Sequence, residues 1–309
     1  MSAIESPQIG FVGLGAMGMG MAQSLLRSGF AVRGYDINPD AVQRFGAAGG
    51  ATAQTVAEAA QDATVFIIVV LNGDQVLDVL FGSGGAAEAL PKGSIVMVCS
   101  TVSPDFAQKT AARLAERDLR MLDSPISGGT IRAAQGQLSI MASGPDDLFD
   151  ELQPVLDAMA ENVYRMGTEY GLGSTMKLVN QILAGVHIAT AAEAMAFGVR
   201  AGLDARQIYE VICNSAGASF MFENRVPHMI DGDYTPHSAV DIWVKDLGIV
   251  LGAGKDLHFP LYLAALAHQL FMSASAAGHG RIDDAAVVKV YEQLTGIAVD
   301  SANAHQPKV

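Results

Sequence analysis

The apolar positions of this chain change their rhythm once, just past the middle, and the change predicts two differently built halves. Residues 8–12 (QIGFV) are a short apolar run that reads as a buried strand. From Gly18 the apolar positions Met21, Ala22, Leu25 and Leu26 recur at helical spacing, and Gly29 ends that helix. A second strand is predicted over 31–35. The alternation continues with helices over 39–45 and 55–60, a strand over 64–71, a helix over 74–80 and a strand over 94–98. The 64–71 run is apolar without alternation, as in a parallel strand buried on both faces. Thr101-Val-Ser-Pro104 has the chemistry of a helix start. Residues 120–122, 137–142 and 162–165 read as further strands, with a helix over 148–159.

After Gly167 no strand signal recurs. Residues 171–202 contain no proline and read as a single helix of about 28 residues, roughly 40 Å long. A helix of that length spans a domain or links two. Helices over 205–214, 240–255, 261–277 and 285–294 follow, and no internal repeat of fixed period is present.

Composition changes this picture in three ways. A formal net charge of -13 argues against a nucleic-acid partner, whose phosphates would be repelled, but leaves room for a small anionic substrate that responds to local potential. The two cysteines, Cys99 and Cys213, fit no disulfide or metal spacing and point to a reducing compartment. The opening MSAIESPQ is too short and polar for a signal peptide, and the apolar run at 63–71 is half a membrane span, so a soluble cytoplasmic protein with no membrane partner is expected. The second-half helices are rich in Ala, Leu, Met and Val with few solvent faces, which predicts a homodimer or homotetramer. The seven histidines are scattered and no H-E-x-x-H occurs, so no metal is expected.

The candidate chemistry begins at Gly13-Leu14-Gly15-Ala16-Met17-Gly18, which follows a strand and opens a helix. Glycines there let a dinucleotide pyrophosphate approach the backbone amides at the helix N-terminus. Asp36 stands 23 residues after Gly13, at the end of the second strand, where a carboxylate can accept both ribose hydroxyls. The plainer alternative is a strand–turn–helix that uses glycine for packing and Asp36 to start a turn. Ile37 follows Asp36 and no arginine is there to neutralise a 2′-phosphate, which favours NAD over NADP. Leu71, Asn72 and Thr101 lie at or just past strand ends, where ligands bind in open α/β sheets; turn and cap duty would explain them equally.

Ser127-Gly128-Gly129 places a hydroxyl beside two amides that no side chain hides, a nest suited to a carboxylate, or a loop rich in glycine simply for turning. Lys177 and Gln181 are one turn apart on the long helix and share a face, with Asn180 on the flank. Such an amine and amide can bind the hydroxyl and carboxylate of a small substrate; alternatively Lys177 extends along the helix to solvent.

Four stretches together resemble the β-hydroxyacid dehydrogenase family: GFVGLGAMGMGMAQSLL, DSPISGGTIRAAQGQLSIMASG, GLGSTMKLVNQ and VKDLGIVL. The resemblance implies an α/β fold: an N-terminal Rossmann-type doubly wound sheet (1–167), then an all-α domain (168–299) joined by the long helix of about 171–201, with a disordered tail at 300–309. It implies an NAD cofactor held by Gly13, Gly15, Ala16, Met17, Gly18, Asp36, Leu71, Asn72 and Thr101, and a substrate carboxylate held by Ser127, Gly128 and Gly129. It makes Lys177 the catalytic base and places Lys245, followed by Asp246, near nicotinamide and substrate. Two departures stand out. Gln181 occupies a position where the family usually carries Asn, and its extra methylene would shift the carbinol hydroxyl; Arg132 occupies one that is usually small and is a candidate to read a more polar or longer acid, while Gln181 and Asn180 are candidates to orient Lys177 and the substrate. The combination NQILAGVHIA, FMFENR and VKDLGIVL is similar to the branch that oxidises four-carbon sugar acids such as L-threonate. The alternatives are 3-hydroxyisobutyrate dehydrogenase, tartronate semialdehyde reductase and, from another class, a non-catalytic dinucleotide-binding sensor or scaffold.

Overall fold

A computed structural model describes residues 7–300. The chain divides into two compact units, with the boundary between Lys177 and Leu178. The tail expected to be disordered lies, from 301 onward, outside the described residues.

The first unit alternates strands and helices. It runs β1 (Gln8–Val12), α1 (Gly18–Arg27), β2 (Ala31–Tyr35), α2 (Pro39–Ala47), β3 (Ala51–Thr52), α3 (Val56–Ala60), β4 (Val65–Ile68), α4 (Gly73–Phe81) and α5 (Ala86–Ala89). It continues with β5 (Ile95–Val98), α6 (Pro104–Ala115), β6 (Arg120–Asp123), β7 (Ile126–Ser127), α7 (Gly129–Gln135), β8 (Leu138–Ser143), α8 (Asp146–Met159) and β9 (Ala160–Gly167). The sheet order is β3-β2-β1-β4-β5-β6-β8-β7, with β9 beside β8. The pairs from β3 across to β6 are parallel, whereas β8 runs antiparallel to both β6 and β7. Chain order reverses between β1 and β4, the switch point at which doubly wound folds bind ligands.

Alternate residues of the central strands feed two separate cores. Ile9, Phe11, Val65, Ile67, Ile95 and Met97 pack on one face, while Val12, Phe66, Ile68, Val96 and Val98 pack on the other. That two-sided burial explains the continuous apolar reading of these strands. The strand expected over 64–71 is shorter than its apolar run, because the chain leaves the sheet after Val69, whose amide still bonds Val12 O at 2.9 Å.

Helix α9 (Leu172–Arg200) begins in the first unit and continues into the second. The second unit adds α10 (Ala205–Cys213), α11 (Phe220–Asp231), α12 (Val240–Asp256), α13 (Tyr262–Ala274) and α14 (Val288–Thr295). Among its described residues there is no named strand, only an isolated bridge between Ala239 and Asp283. The helix expected to 277 gives way at Ser275 to a π-helical turn that breaks at Gly278, and the one expected from 285 opens with a 3-10 turn. By length and composition α9 is apolar enough to cross a membrane. In the fold its Ile188, Ala192 and Met195 form a core with Phe222, Trp243, Leu247 and Phe271. Asp284, fully buried, anchors that core: it accepts from Arg225 Nε at 2.5 Å and Trp243 Nε1 at 2.7 Å.

Candidate active site

In the first unit, β1 delivers the chain into the glycine loop. Gly13 has a φ of +98°, and a Cβ there would collide with the Val69 carbonyl; one on Gly18 would collide with the Gly13 carbonyl. At Gly15 a Cβ would meet nothing within 4 Å. The loop is thus closed on its protein side and open on the side where a pyrophosphate would lie. Helix α1 has Met17 at its N-cap; its Met19 amide turns back to Gly15 O at 3.0 Å, and no side chain caps the helix start.

Asp36 closes the loop from β2. Its Oδ2 accepts the Leu14 amide at 2.6 Å and its Oδ1 accepts the Asn38 amide at 2.7 Å, which fixes the carboxylate and leaves lone pairs outward on both oxygens. A cavity of about 310 Å³ lies here, lined by Gly15, Ala16, Asp36, Asn38, Arg44 and Thr130 among others. No arginine directly follows Asp36 in the sequence, but the fold brings Arg44 of α2 to the same cavity.

The strand-end candidates separate. Asn72 caps α4, accepting from the Gln75 amide at 2.9 Å, and the Leu71 amide donates to Gln75 Oε1 at 2.8 Å. Cap duty on α6 belongs to Ser103, which accepts from the Phe106 amide at 3.2 Å, so Thr101 is not spent as the cap.

The loop at 127–129 has the backbone of a nest: Gly128 and Gly129 take φ of +138° and +77°. Helix α7 follows at once and packs against α1, since a Cβ on Gly20 would sit 2.6 Å from the Ala134 amide. Thr130 of α7 consequently lines the same cavity as Asp36. Arg132 lays its stem against Gly128, and its guanidinium stands 3.7 Å from Glu161 in a half-exposed pair. Exposed pairs of this kind contribute little, about 0.5 kcal/mol.

Four residues before Ser127, Asp123 ends β6 with its side chain fully buried. Its Oδ2 accepts from the Gly171 amide (3.1 Å), the Ser174 amide (2.9 Å) and Ser143 Oγ (3.1 Å), while Oδ1 accepts from Ser174 Oγ at 2.7 Å. Asp123 thus caps α9 from a strand about fifty residues upstream and satisfies amides that a helix start leaves orphaned. Lys177 lies one turn further along α9 and is 8% exposed, so it is not extended into solvent. Burial pushes the Asp123 carboxyl above the usual carboxylate range, against the pull of its four donors. Cys99, also buried, has its thiol pushed up to about 12 and stays protonated.

In the second unit, Gly185 lets α9 and α12 approach closely: a Cβ there would lie 3.0 Å from the Trp243 ring and 3.1 Å from Leu247. That approach joins Gln181, one turn before Gly185, to Asp246. Gln181 Nε2 donates to Asp246 Oδ2, Gln181 Oε1 accepts from Asn180 Nδ2 at 2.9 Å, and Lys245 Nζ stands 2.5 Å from Asp246 Oδ1.

Residues 8–167 match the family model described as the NAD binding domain of 6-phosphogluconate dehydrogenase, and residues 171–291 match the one described as NAD-binding of NADP-dependent 3-hydroxyisobutyrate dehydrogenase. An L-threonate dehydrogenase of Cupriavidus necator is 53% identical over 93% of this chain and 96% of its own length. This chain belongs to the β-hydroxyacid dehydrogenase family. A second L-threonate dehydrogenase, from Escherichia coli, is 51% identical over 93% of the chain and 95% of its own length. A crystal structure described as 3-hydroxyisobutyrate dehydrogenase from Salmonella typhimurium is 51% identical, covers 92% of this chain and 99% of its own, and superposes with a TM-score of 0.87.

The protein is therefore an NAD-dependent hydroxyacid dehydrogenase, and the open face at Gly15, the uncapped start of α1 and the fixed Asp36 carboxylate fit that cofactor. Asp36→Ala in this dehydrogenase is expected to weaken NAD by about 30-fold, the worth of charge-assisted bonds to ribose hydroxyls. NADP is expected to suffer less, because the carboxylate that repels its phosphate is gone while Arg44 remains. An unchanged ratio of the two affinities would contradict the ribose contact.

Proposed function

We propose that this dehydrogenase oxidises L-threonate, a four-carbon sugar acid, to its 2-oxo acid. The similarity to L-threonate dehydrogenases over nearly the whole chain carries the choice of substrate. The site residues suit a small anion with a carbinol. Ser127 Oγ and the Gly128 and Gly129 amides hold the carboxylate. Arg132 reads the hydroxylated end of the acid, its pairing with Glu161 being loose enough to release the guanidinium. Lys177 Nζ accepts the proton of the hydroxyl as hydride leaves the same carbon. NAD, when bound, supplies the acceptor for that hydride. Leu71, Asn72 and Thr101 are assigned to the cofactor, Lys245 to its nicotinamide, and Asn180 to orienting the substrate.

The test is appearance of NADH with L- and D-threonate, D-erythronate, 3-hydroxyisobutyrate, glycerate and tartronate. The largest kcat/KM is expected on L-threonate; a maximum on 3-hydroxyisobutyrate, the substrate named for the Salmonella structure, would replace this reading. In the same assay Arg132→Gly is expected to cost about 10-fold more on L-threonate than on 3-hydroxyisobutyrate, the scale of one lost charge-assisted contact. Equal losses would remove Arg132 from specificity.

The protein is read as soluble and cytoplasmic, in keeping with two free cysteines. It is also read as a homodimer or homotetramer. Leu257, Phe259, Tyr262, Leu263 and Leu266 are each at least 63% exposed within ten residues, an apolar concentration that a second copy would cover. A mass of two or four chains is expected by light scattering after size exclusion, and a mass of one chain would refute it.

A further inference from the structure

Asn180, Gln181, Asp246 and Lys245 form one linear chain of contacts whose middle is buried and whose ends are not. Gln181 is 5% exposed and Asp246 2%, whereas the Lys245 side chain is 21% exposed and Asn180 is half-buried. Both ends of the Gln181 amide are engaged: the oxygen accepts from Asn180, and the nitrogen donates to Asp246. Asp246 Oδ1 has the Lys245 ammonium 2.5 Å away, an ionic contact without the direction of a hydrogen bond. The directed bond that orients the Asp246 carboxylate comes from Gln181. We propose that Gln181 and Asp246 are positioning residues that fix the Asn180 amide and the Lys245 ammonium relative to each other, and that Gln181 itself does not touch the substrate.

The physical case rests on reach. An Asn at 181 would be one methylene shorter, about 1.5 Å, and would have to give up either Asn180 or Asp246. Gln spans both because Gly185 has already drawn α12 against α9. The extra methylene thus serves the link to α12, and the amide left to meet a ligand is that of Asn180, which keeps one N–H and its carbonyl oxygen. The inference rests on the reading above only in taking Asn180 and Lys245 as ligand contacts.

The test exchanges the polarity of the central hydrogen bond. Gln181→Glu sets two carboxylates against each other and is expected to lower kcat/KM by about 100-fold and Tm by about 4 °C. Adding Asp246→Asn restores a donor facing an acceptor at unchanged net charge, the new amide on α12 now donating to the new carboxylate on α9. The double variant is expected to recover at least about 10-fold of the lost kcat/KM, and to regain Tm and NADH affinity measured by fluorescence. If Gln181 instead touched the substrate, the Gln181→Glu loss would fall on KM through repulsion of an anionic acid, and Asp246→Asn would add to it; absence of rescue overturns the proposal.

Should neither of these variants fold, Gln181→Asn decides. It is expected to fold, to lose about 10-fold in kcat with little change in KM, and wild-type kinetics would overturn the proposal. All variants are assayed on whichever acid of the panel the wild type oxidises fastest. A wild type indifferent to L-threonate then sinks the substrate reading and leaves this test intact.

Discussion

Lys177→Ala is expected to abolish turnover, a fall of about 1,000-fold or more in kcat, with NAD still bound. The two halves of that result have separate physical origins. The residues proposed for the dinucleotide belong chiefly to β1, the glycine loop, α1 and β2, and Asp36 accepts from the Leu14 and Asn38 amides of that region. Lys177 belongs to a different element, α9, and is 8% exposed. A side chain placed in this way has lost most of its contact with water, so solvent cannot readily take over as proton acceptor when the amine is removed. Lys177→Met separates chemistry from packing, since it keeps an unbranched apolar stem of similar volume. Both variants should bind NADH in a fluorescence titration with near wild-type affinity. Near-normal turnover by either would sink the role of Lys177 as base.

The parts of this site that could be read from sequence are those whose determinants are contiguous. β1, the glycine loop, α1 and β2 fall within 28 residues, each with its own period or turn signal, and the structure reproduces their limits to within a residue or two. β3 and β7 have two residues each and exist only through their pairing with β2 and β8, so no local pattern announces them. α7, seven residues long, is too short to show a face, and its place is set by contact with Gly20 of α1. Asn72 and Thr101 looked equivalent as strand-end polar residues, and only the identity of the actual cap on α6, Ser103, tells them apart.

Long-range partners were beyond reach for the same reason. Gln181 could be placed on the face of Lys177 by helical spacing, but its bond to Asp246 crosses 65 residues and depends on the absence of a Cβ at Gly185. Arg44 reaches the Asp36 cavity because α2 folds back beside β2. Asp123 opens the DSPISGG stretch, and no motif in its local sequence assigns it a role. A signal is nevertheless present: an acidic residue in an otherwise apolar strand end needs donors, and Ser143, Ser174 and Gly171 supply them.

Asp123→Ala is expected to be the most damaging change outside the ligand-contacting residues, costing about 4 kcal/mol and lowering Tm by about 10 °C. It would strand the Gly171 and Ser174 amides and the Ser143 and Ser174 hydroxyls in a region without solvent access. Ser143 Oγ also receives the Gly173 amide at 3.0 Å, so the disturbance reaches the whole first turn of α9. That turn cannot simply shift, because a Cβ on Gly171 would already lie 2.8 Å from the Pro104 carbonyl and Gly173 abuts the Asp123 and Met141 carbonyls. Lys177, the proposed base, sits one turn further on, and a displacement of about 1 Å at a reacting group can cost about 100-fold in kcat, so activity of the surviving folded protein should fall by that order.

Asp123→Asn separates shape from charge. An amide oxygen can replace Oδ2 for its three donors while the amide nitrogen turns the Ser174 Oγ contact around, so most of the stability and activity should return. Its pH dependence carries a definite sign. Burial raises the Asp123 pKa in the folded state, so its contribution is fully present below the unfolded value and is lost as pH rises through the folded one. The Tm of wild type minus that of Asp123→Asn should therefore be largest at and below about pH 4 and decline as pH rises from there. A difference that grows with pH would mean that the four donors outweigh burial and hold the carboxylate charged at a stability gain. An Asp123→Ala protein with wild-type Tm and kcat would mean that α9 is positioned by something other than this carboxylate.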